Sequence, residues 1–165
     1  MDAKQVIYQG KILNLIKLDN RWEIVEHQPA VCVLVIRGEQ VLGVRQRRPA
    51  IGGETWELPA GLVEPGEEPA EAAVRELAEE TQHRATLTLL AQIYSSPGFS
   101  TEKVYIYEAT DLSPAPDAVP DEGEDLSVEW RPLKETYEAI RCGEIASSAH
   151  TLLALTYALG RRGAL

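Results

Sequence analysis

The 165-residue sequence contains only two cysteines, Cys32 and Cys142. Cys32 lies in the apolar run 30–36 and Cys142 in a predicted helix, so no disulfide framework is indicated. A chain of this length does not need one, because a domain of this size buries about 70% of the surface that its unfolded chain exposes. The scarcity of cysteine favours a reducing, cytoplasmic setting.

Long apolar runs are also missing. No segment approaches the roughly 20 consecutive apolar residues that cross a bilayer. The first residues lack the basic segment and apolar stretch of a signal peptide, so we expect neither a membrane span nor a secretory signal. The sequence contains no internal repeat and no linker long enough to separate domains, and a single domain over residues 1–165 is expected.

Positive charge is scarce, with 16 Lys and Arg residues against 26 Asp and Glu residues and a formal net charge of −10. A chain this acidic repels nucleic acid and anionic membranes, so we expect neither as a partner. A small anionic substrate would need bound cations beside it to offset the same repulsion.

Glutamates crowd one segment of the chain. Eight of them lie between Glu57 and Glu80, where Arg75 is the only base. Pro69 suits the first turn of a helix, and the apolar residues that follow recur at helical spacing. The predicted buried stripe consists of Ala70, Ala73, Val74, Leu77 and Ala78. We therefore expect the glutamates to lie elsewhere on this helix.

Glu76, Glu79 and Glu80 are three and four residues apart, so their side chains emerge close together. Like charges at this spacing cost a helix about 0.2–0.5 kcal/mol per pair. Arg75 can bridge to Glu79, but one guanidinium cannot neutralise the group. Hard divalent ions with oxygen ligands, Mg²⁺ or Mn²⁺, are the predicted counterions. A solvated acidic helix face is the alternative that the charges alone leave open.

The segment from Gly61 to His83 resembles the Nudix box, the signature of hydrolases that cleave a nucleoside diphosphate linked to another moiety. Seven of its nine defining positions match, at Gly61, Glu67, Arg75, Glu76, Leu77, Glu79 and Glu80. Gln82 stands where the box has glycine, and His83 where it has an apolar residue. A side chain in a left-handed helix end costs about 1–2 kcal/mol, so the sequence leaves open how this helix ends.

Downstream of the box, Pro97 and Gly98 followed by Glu102 resemble the substrate loop of the ADP-ribose pyrophosphatase branch of this family. The resemblance implies that all three residues bind substrate. A Pro-Gly turn between two strands is the structural alternative, and it is compatible with a substrate loop.

Upstream, the segments 45–48 and 55–61 resemble a Gln-x-Arg motif and a Trp-Glu-Leu-Pro-Ala-Gly motif of the same branch. The resemblance implies that Arg47 and Glu57 bind substrate, in keeping with the ability of guanidinium groups to bind a diphosphate in a bidentate manner. The arginine register stays open between Arg45-x-Arg47 and Gln46-x-Arg48.

The resemblance also implies a metal site. Glu76 and Glu80 would be the principal ligands of two or three divalent ions, and Glu79 and the Ala60 carbonyl would assist. Arg75 would act in catalysis by holding the carboxylates in place.

Hydrolysis also needs a base that positions or deprotonates water, and carboxylates bound to metal are poor candidates. The acidic, proline-rich segment 114–125 reads as a loop before a predicted strand. By resemblance, Glu122 is the predicted catalytic base, with Glu124 as reserve or metal contact. A solvated acidic loop is the alternative for either residue.

The order of predicted elements supports a mixed α/β (α+β) fold. Strands at 5–18 and 21–26 form an amino-terminal hairpin. Further strands are predicted at 31–36, 41–46, 86–94, 104–109 and 126–130, and two helices after the box helix at 133–142 and 147–159. This order resembles the Nudix fold, an α/β/α sandwich around a mixed β-sheet. In the pyrophosphatase branch the hairpin, here about residues 1–28, is exchanged within a homodimer.

Taken together, the resemblance implies a homodimeric, metal-dependent hydrolase that cleaves ADP-ribose, a small nucleoside diphosphate substrate, to AMP and ribose 5-phosphate. Two alternatives stay open. One is a Nudix enzyme for another nucleoside diphosphate sugar or an oxidised nucleotide, which the box does not distinguish. The other is a noncatalytic nucleotide-sugar sensor, against which the intact set of box carboxylates argues.

Overall fold

The computed structural model describes residues 3–119 and 126–164. The strands are β1 Lys4–Gln9, β2 Leu13–Leu18, β3 Trp22–His27, β4 Ala30–Arg37, β5 Gln40–Arg48, β6 Gly53–Glu57, β7 Ala60–Leu62, β8 His83–Tyr94, β9 Lys103–Pro114 and β10 Leu126–Pro132. The helices are α1 Pro69–Thr81, α2 Leu133–Arg141 and α3 Ala149–Arg161, and a 3-10 turn covers Pro49–Ile51. Over these two ranges, no helix combines the length and apolarity needed to cross a membrane.

The larger sheet has the strand order β10-β5-β4-β9-β8, with β6 added to β5 and β7 added to β4. Strands β4 and β9 are parallel and their neighbours are antiparallel, so the sheet is mixed. Residues of β4 alternate between two apolar clusters: Cys32 and Leu34 pack with α3, whereas Val31, Val33 and Val35 pack with α1. The predicted α/β/α sandwich is confirmed, and β4 is its central, fully covered strand.

Helix α1 buries a different stripe from the predicted one. Ala73, Leu77 and Ala78 are buried as expected, but Ala70 and Val74 are exposed. In their place the helix buries Ala72 together with the carboxylates Glu76 and Glu80. The expectation that all glutamates lie away from the buried face was therefore wrong. Apolar periodicity does not reveal that a charged side chain has partners that compensate its burial.

The ends of α1 are fixed by local hydrogen bonds. At its start, the Glu68 and Glu71 side chains form a reciprocal capping box. At its end, Gln82 adopts the left-handed conformation, with φ of 58°. Its side-chain nitrogen donates to the carbonyls of Ala78, at 3.3 Å, and Ala118, at 3.0 Å. The helix therefore ends with a left-handed residue, as it would with the glycine of the box. The hydrogen bonds of the Gln82 side chain offset the free-energy cost of placing a Cβ in this conformation.

The amino-terminal region contains three strands, so the prediction of one strand over residues 5–18 was wrong. The chain reverses at Gly10, whose N–H donates to the Leu13 carbonyl at 2.9 Å, and β1, β2 and β3 form an antiparallel sheet. A Cβ at Gly10 would lie 2.9 Å from that same oxygen, so the reversal depends on glycine. Val25 on β3 bonds to Phe99 and Thr101 and joins this sheet to the β8–β9 connection.

Candidate functional site

Arg75 on α1 hydrogen-bonds to three carboxylates. We call the four residues Glu67, Arg75, Glu76 and Glu79 the Arg75 cluster. Its guanidinium donates to both oxygens of Glu67 at 3.0 Å, to Glu76 at 2.8 Å and to Glu79 at 3.0 Å. It also donates to the Leu62 carbonyl at 2.9 Å. One side chain therefore binds three carboxylates and ties α1 to strand β7.

These contacts shift the pKa values of two members of the Arg75 cluster, Arg75 and Glu67. The hydrogen bonds that Arg75 donates to Glu67, Glu76 and Glu79 outweigh its partial burial and raise the pKa of the guanidinium further above its ordinary value. The bond from Arg75 likewise holds the pKa of Glu67 below its ordinary value. The Arg75–Glu67 ion pair therefore persists across the neutral pH range, and the hydrogen bonds from Arg75 orient all three carboxylates.

Strand β7 passes directly against two buried carboxylates. A Cβ at Gly61 would overlap the carboxyl group of Glu76, so only glycine fits there. The N–H of Ala60 donates to Glu80 at 3.1 Å. Glu76 and Glu80 are 8% and 7% exposed, and the close approach of β7 is what buries them.

The chemistry of these side chains fits a hard divalent cation, which prefers carboxylate and backbone carbonyl oxygens. Glu76, Glu79 and Glu80 supply the carboxylates, and β7 brings the backbone of Ala60 beside them. In the ranges 3–119 and 126–164, no three His, Cys, Asp or Glu side chains already stand in a metal-binding arrangement. Two of the carboxylates instead point to the same nitrogen of Arg75.

A cleft of about 410 Å³ lies beside β7. It is lined by residues from both sheets and from the start of α3. These are Ile12, His27, Ala30, Val31, Arg48, Glu57, Ala60, Gly61, Leu62, Glu102, Ser148 and His150. Because Ala60 and Gly61 line the cleft and also contact Glu80 and Glu76, strand β7 is shared by the cleft and the carboxylate face of α1.

Arg48 and Glu57 form a bidentate ion pair in the cleft, with N–O distances of 3.1 and 2.8 Å. Glu57 is only 4% exposed. Burial opposes its ionisation, but hydrogen bonds from Arg48 and Thr55 and the charge of Arg48 hold the pKa of Glu57 below its ordinary value. The carboxylate is therefore charged at neutral pH.

Of the two arginine registers, the structure places Arg48 in the cleft and not Arg47. On β5, successive side chains point to opposite faces of the sheet, and Arg47 is exposed. In the β5–β6 pairing Val44 lies opposite Glu57, so Arg48, four residues from Val44, shares the face of Glu57. The side chain of Arg47 faces away from the cleft.

The predicted substrate loop contributes one of its three residues to the cleft. Glu102 lines it, and its carboxylate lies 3.5 Å from Nδ1 of His27. Pro97 and Gly98 are exposed in a turn closed by hydrogen bonds from Phe99 and Ser100 to the Ser96 carbonyl. Neither lines the cleft.

His150 completes the polar lining of the cleft. It lies in the first turn of α3, next to the helix cap Ser148. Burial lowers the pKa of its imidazole, against the opposing effect of Glu57 and Glu102. Its Nε2 atom is buried, and no residue in the described part of the chain hydrogen-bonds to it. The imidazole is therefore uncharged at neutral pH.

The two residues predicted to supply the base, Glu122 and Glu124, lie outside the described residues. Their role stays a prediction.

Sequence reasoning left Arg48 open only as the alternative register to Arg47, and it missed His150. The register of a predicted β5–β6 hairpin would have found Arg48, because residues paired across two strands share a face. His150 has no comparable signal, since the N-cap pattern of α3 predicts its helix position but not what that position faces.

A sequence profile of the NUDIX domain matches residues 26–149. The ADP-ribose pyrophosphatase of Bacillus subtilis (strain 168) is 40% identical over 121 residues, a match that covers 67% of this chain and 65% of the relative. This chain thus matches less than two thirds of that protein. The methanol dehydrogenase activator of Bacillus methanolicus is 33% identical over 162 residues, covering 92% of this chain and 87% of the relative.

Among solved structures, the crystal structure of an ADP compounds hydrolase superimposes with a TM-score of 0.76 and covers 99% of this chain and 95% of the other. The two sequences are 22% identical, so this likeness concerns the fold. The structural match extends beyond residues 26–149, which the sequence profile covers, to the amino-terminal sheet and to α3.

Proposed function

The chain belongs to the Nudix family, and we propose that it hydrolyses the diphosphate bond of ADP-ribose, giving AMP and ribose 5-phosphate. One observation carries the proposal: strand β7 has the carboxylates of α1 against it and also lines the cleft that holds Arg48 and Glu57. A diphosphate beside β7 would reach both. The similarity to the B. subtilis ADP-ribose pyrophosphatase supports this choice of substrate.

A divalent cation, Mg²⁺ or Mn²⁺, is part of the proposal. When bound, it offsets phosphate charge and lowers the pKa of water. Glu76 and Glu80 would hold two or three such ions, with Glu79 and the Ala60 carbonyl assisting. Arg75 keeps the carboxylates oriented through the bonds described above.

Substrate recognition in this proposal falls to residues of the cleft. Glu57, paired with Arg48, and Glu102 offer charged groups that can hydrogen-bond to the substrate. Pro97 and Gly98 would act through the turn that leads into Glu102. Glu122, with Glu124 as reserve, would serve as the base that takes a proton from the attacking water.

A homodimer is also proposed. The apolar side chains Val6, Ile7, Tyr8 and Trp22 of the amino-terminal sheet are each more than half exposed. Several exposed apolar residues on one small sheet are typical of surfaces that another protein covers. Light scattering after size exclusion gives the mass in solution, and a monomer at micromolar concentration would contradict this part of the proposal.

The activity is tested by incubating the purified protein with ADP-ribose, GDP-mannose, NADH or 8-oxo-dGTP. Each substrate is combined with Mg²⁺ or Mn²⁺, and a chelator is the control. We expect AMP and ribose 5-phosphate from ADP-ribose, with loss of turnover when the chelator is added. Hydrolysis of a different substrate would retain the Nudix chemistry and reject ADP-ribose. No turnover of any substrate would favour a nucleotide-sugar sensor.

A further inference from the structure

Strand β3 of the amino-terminal sheet is hydrogen-bonded to the segment that leads into Glu102. The N–H of Val25 donates to the Phe99 carbonyl at 2.7 Å, and the N–H of Thr101 donates to the Val25 carbonyl at 3.0 Å. Val25 and Ser100 thus form a parallel bridge between the two segments. These bonds dock the connection between β8 and β9 against the amino-terminal sheet.

The Thr101 hydroxyl extends this contact by two bonds to one residue of β3. It accepts the His27 N–H at 3.0 Å and donates to the His27 carbonyl at 3.3 Å. A hydroxyl can serve both groups at once, because it is a donor and an acceptor. Thr101 is exposed, so its side chain contributes through these hydrogen bonds and not through burial in the core.

Glu102 follows Thr101 directly in the chain. Its N–H donates to the Ser100 hydroxyl at 3.1 Å, and its carboxylate lies 3.5 Å from Nδ1 of His27. Glu102 and His27 both line the cleft. The residue of β3 that Thr101 binds is therefore also the neighbour of the Glu102 carboxylate, and the two bonds of the hydroxyl fix these two cleft residues relative to each other.

We propose that Thr101 is a positioning residue, whose hydroxyl holds the chain at Glu102 against β3 and so keeps Glu102 in place in the cleft before substrate binds. Thr101 itself does not line the cleft, so it acts through Glu102 and not by touching the substrate. Positioning of this kind favours binding, because less freedom is lost when the substrate arrives. The inference rests on the proposed function, since it takes Glu102 as a substrate-binding residue.

The test is a double-mutant cycle on kcat/KM for ADP-ribose, built from Thr101→Val, Glu102→Ala and the two changes together. Thr101→Val keeps the branched shape of the side chain and removes the hydroxyl, whereas Thr101→Ser keeps the hydroxyl. Thr88→Val is the matched control, since Thr88 is also exposed and lies on β8 outside the cleft. Thermal unfolding checks the fold of each variant, and Thr101→Ala replaces the valine variant if that one does not fold.

We expect Thr101→Val to lower kcat/KM about 5-fold, through KM and with kcat unchanged, because the loss corresponds to about one hydrogen bond. Thr101→Ser and Thr88→Val should stay within about 2-fold of the wild type. When Glu102→Ala is already present, no carboxylate is left to position, and the further effect of Thr101→Val should be less than about 2-fold.

The same loss with and without Glu102 would show that the hydroxyl supports the fold in general, and it would overturn the inference alone. An unchanged kcat/KM for Thr101→Val or for Glu102→Ala would also overturn it, as would an equal loss in Thr88→Val. A wild type that does not hydrolyse ADP-ribose would overturn the proposed function and this inference with it.

Discussion

The two polar groups that meet at strand β7 are built in different ways. The Arg75 cluster draws its four side chains from residues 67–79, and Glu80 follows directly. The cleft takes Arg48, Glu57, Glu102 and His150 from four separate segments. The first group is thus encoded at fixed local spacing, whereas tertiary structure assembles the second.

The two groups also differ in how far the protein satisfies them. In the Arg75 cluster, each carboxylate receives a hydrogen bond from the same guanidinium. In the cleft, Glu57 is paired with Arg48, whereas Nε2 of His150 has no partner in the part of the chain that the structure describes. The carboxylates proposed for catalysis are therefore oriented by the protein itself on one side of β7, and the cleft proposed to bind the substrate lies on the other.

The strongest test of the catalytic side is Glu80→Gln, which keeps the shape and removes the charge. We expect kcat for ADP-ribose to fall about 1000-fold, because charge stabilisation at the reacting group is lost, while KM changes little. Steady-state assays of product release measure both quantities. Glu71→Gln is the control, since Glu71 lies on the same helix but is exposed and serves the helix cap. Equal losses in the two variants would show that overall helix charge, and not Glu80 itself, matters.

A second variant, with a smaller expected effect on kcat, tests whether β7 holds the carboxylates in place. Gly61→Ala adds one methyl group, which would overlap the carboxyl group of Glu76 and displace it. Displacement of a catalytic group by about 1 Å can cost about 100-fold in rate, and we expect a loss of that size in kcat. Gly53→Ala is the matched control, because a Cβ there meets no atom within 4 Å. Full activity of Gly61→Ala would mean that Glu76 need not lie against β7.

The same contrast explains how much could be predicted from the sequence. The sandwich was implied by the resemblance of the element order to the Nudix fold, and the bond from Arg75 to Glu79 follows from i+4 spacing. The structure confirms both. The burial of Glu76 and Glu80 could not be predicted, since it depends on the close approach of β7. The charged neighbours of His150 are likewise set by three-dimensional packing. Local patterns therefore predict the carboxylate face of α1 better than they predict the cleft.

A smaller expected effect, on KM, distinguishes whether Arg47 or Arg48 serves the cleft. Arg48→Gln removes the bidentate partner of Glu57, and we expect KM for ADP-ribose to rise about 10-fold, since bonds to a charged group are lost from the cleft. Arg47→Gln should have the smaller effect, because the Arg47 side chain is exposed and faces away from the cleft. Steady-state kinetics at equal ionic strength give the KM of both variants for comparison. A larger rise in KM for Arg47→Gln would support the register implied by resemblance.

The smallest effect concerns stability. The pKa of Glu57 is lowered on folding, so its ionised form stabilises the folded state above the ordinary pKa of 4.5, and this contribution is lost as pH falls from there through the folded-state value. We expect Glu57→Gln to lower the free energy of unfolding on the order of 1 kcal/mol at neutral pH, because the Arg48 pair is partly solvent-exposed. Urea denaturation of wild type and variant measures this difference at neutral pH and at an acidic pH below the folded-state pKa of Glu57, where it should be smaller because the wild-type carboxyl is protonated. A difference that is the same at both pH values would show that Glu57 acts through shape and hydrogen bonding, and that its charge does not stabilise the cleft.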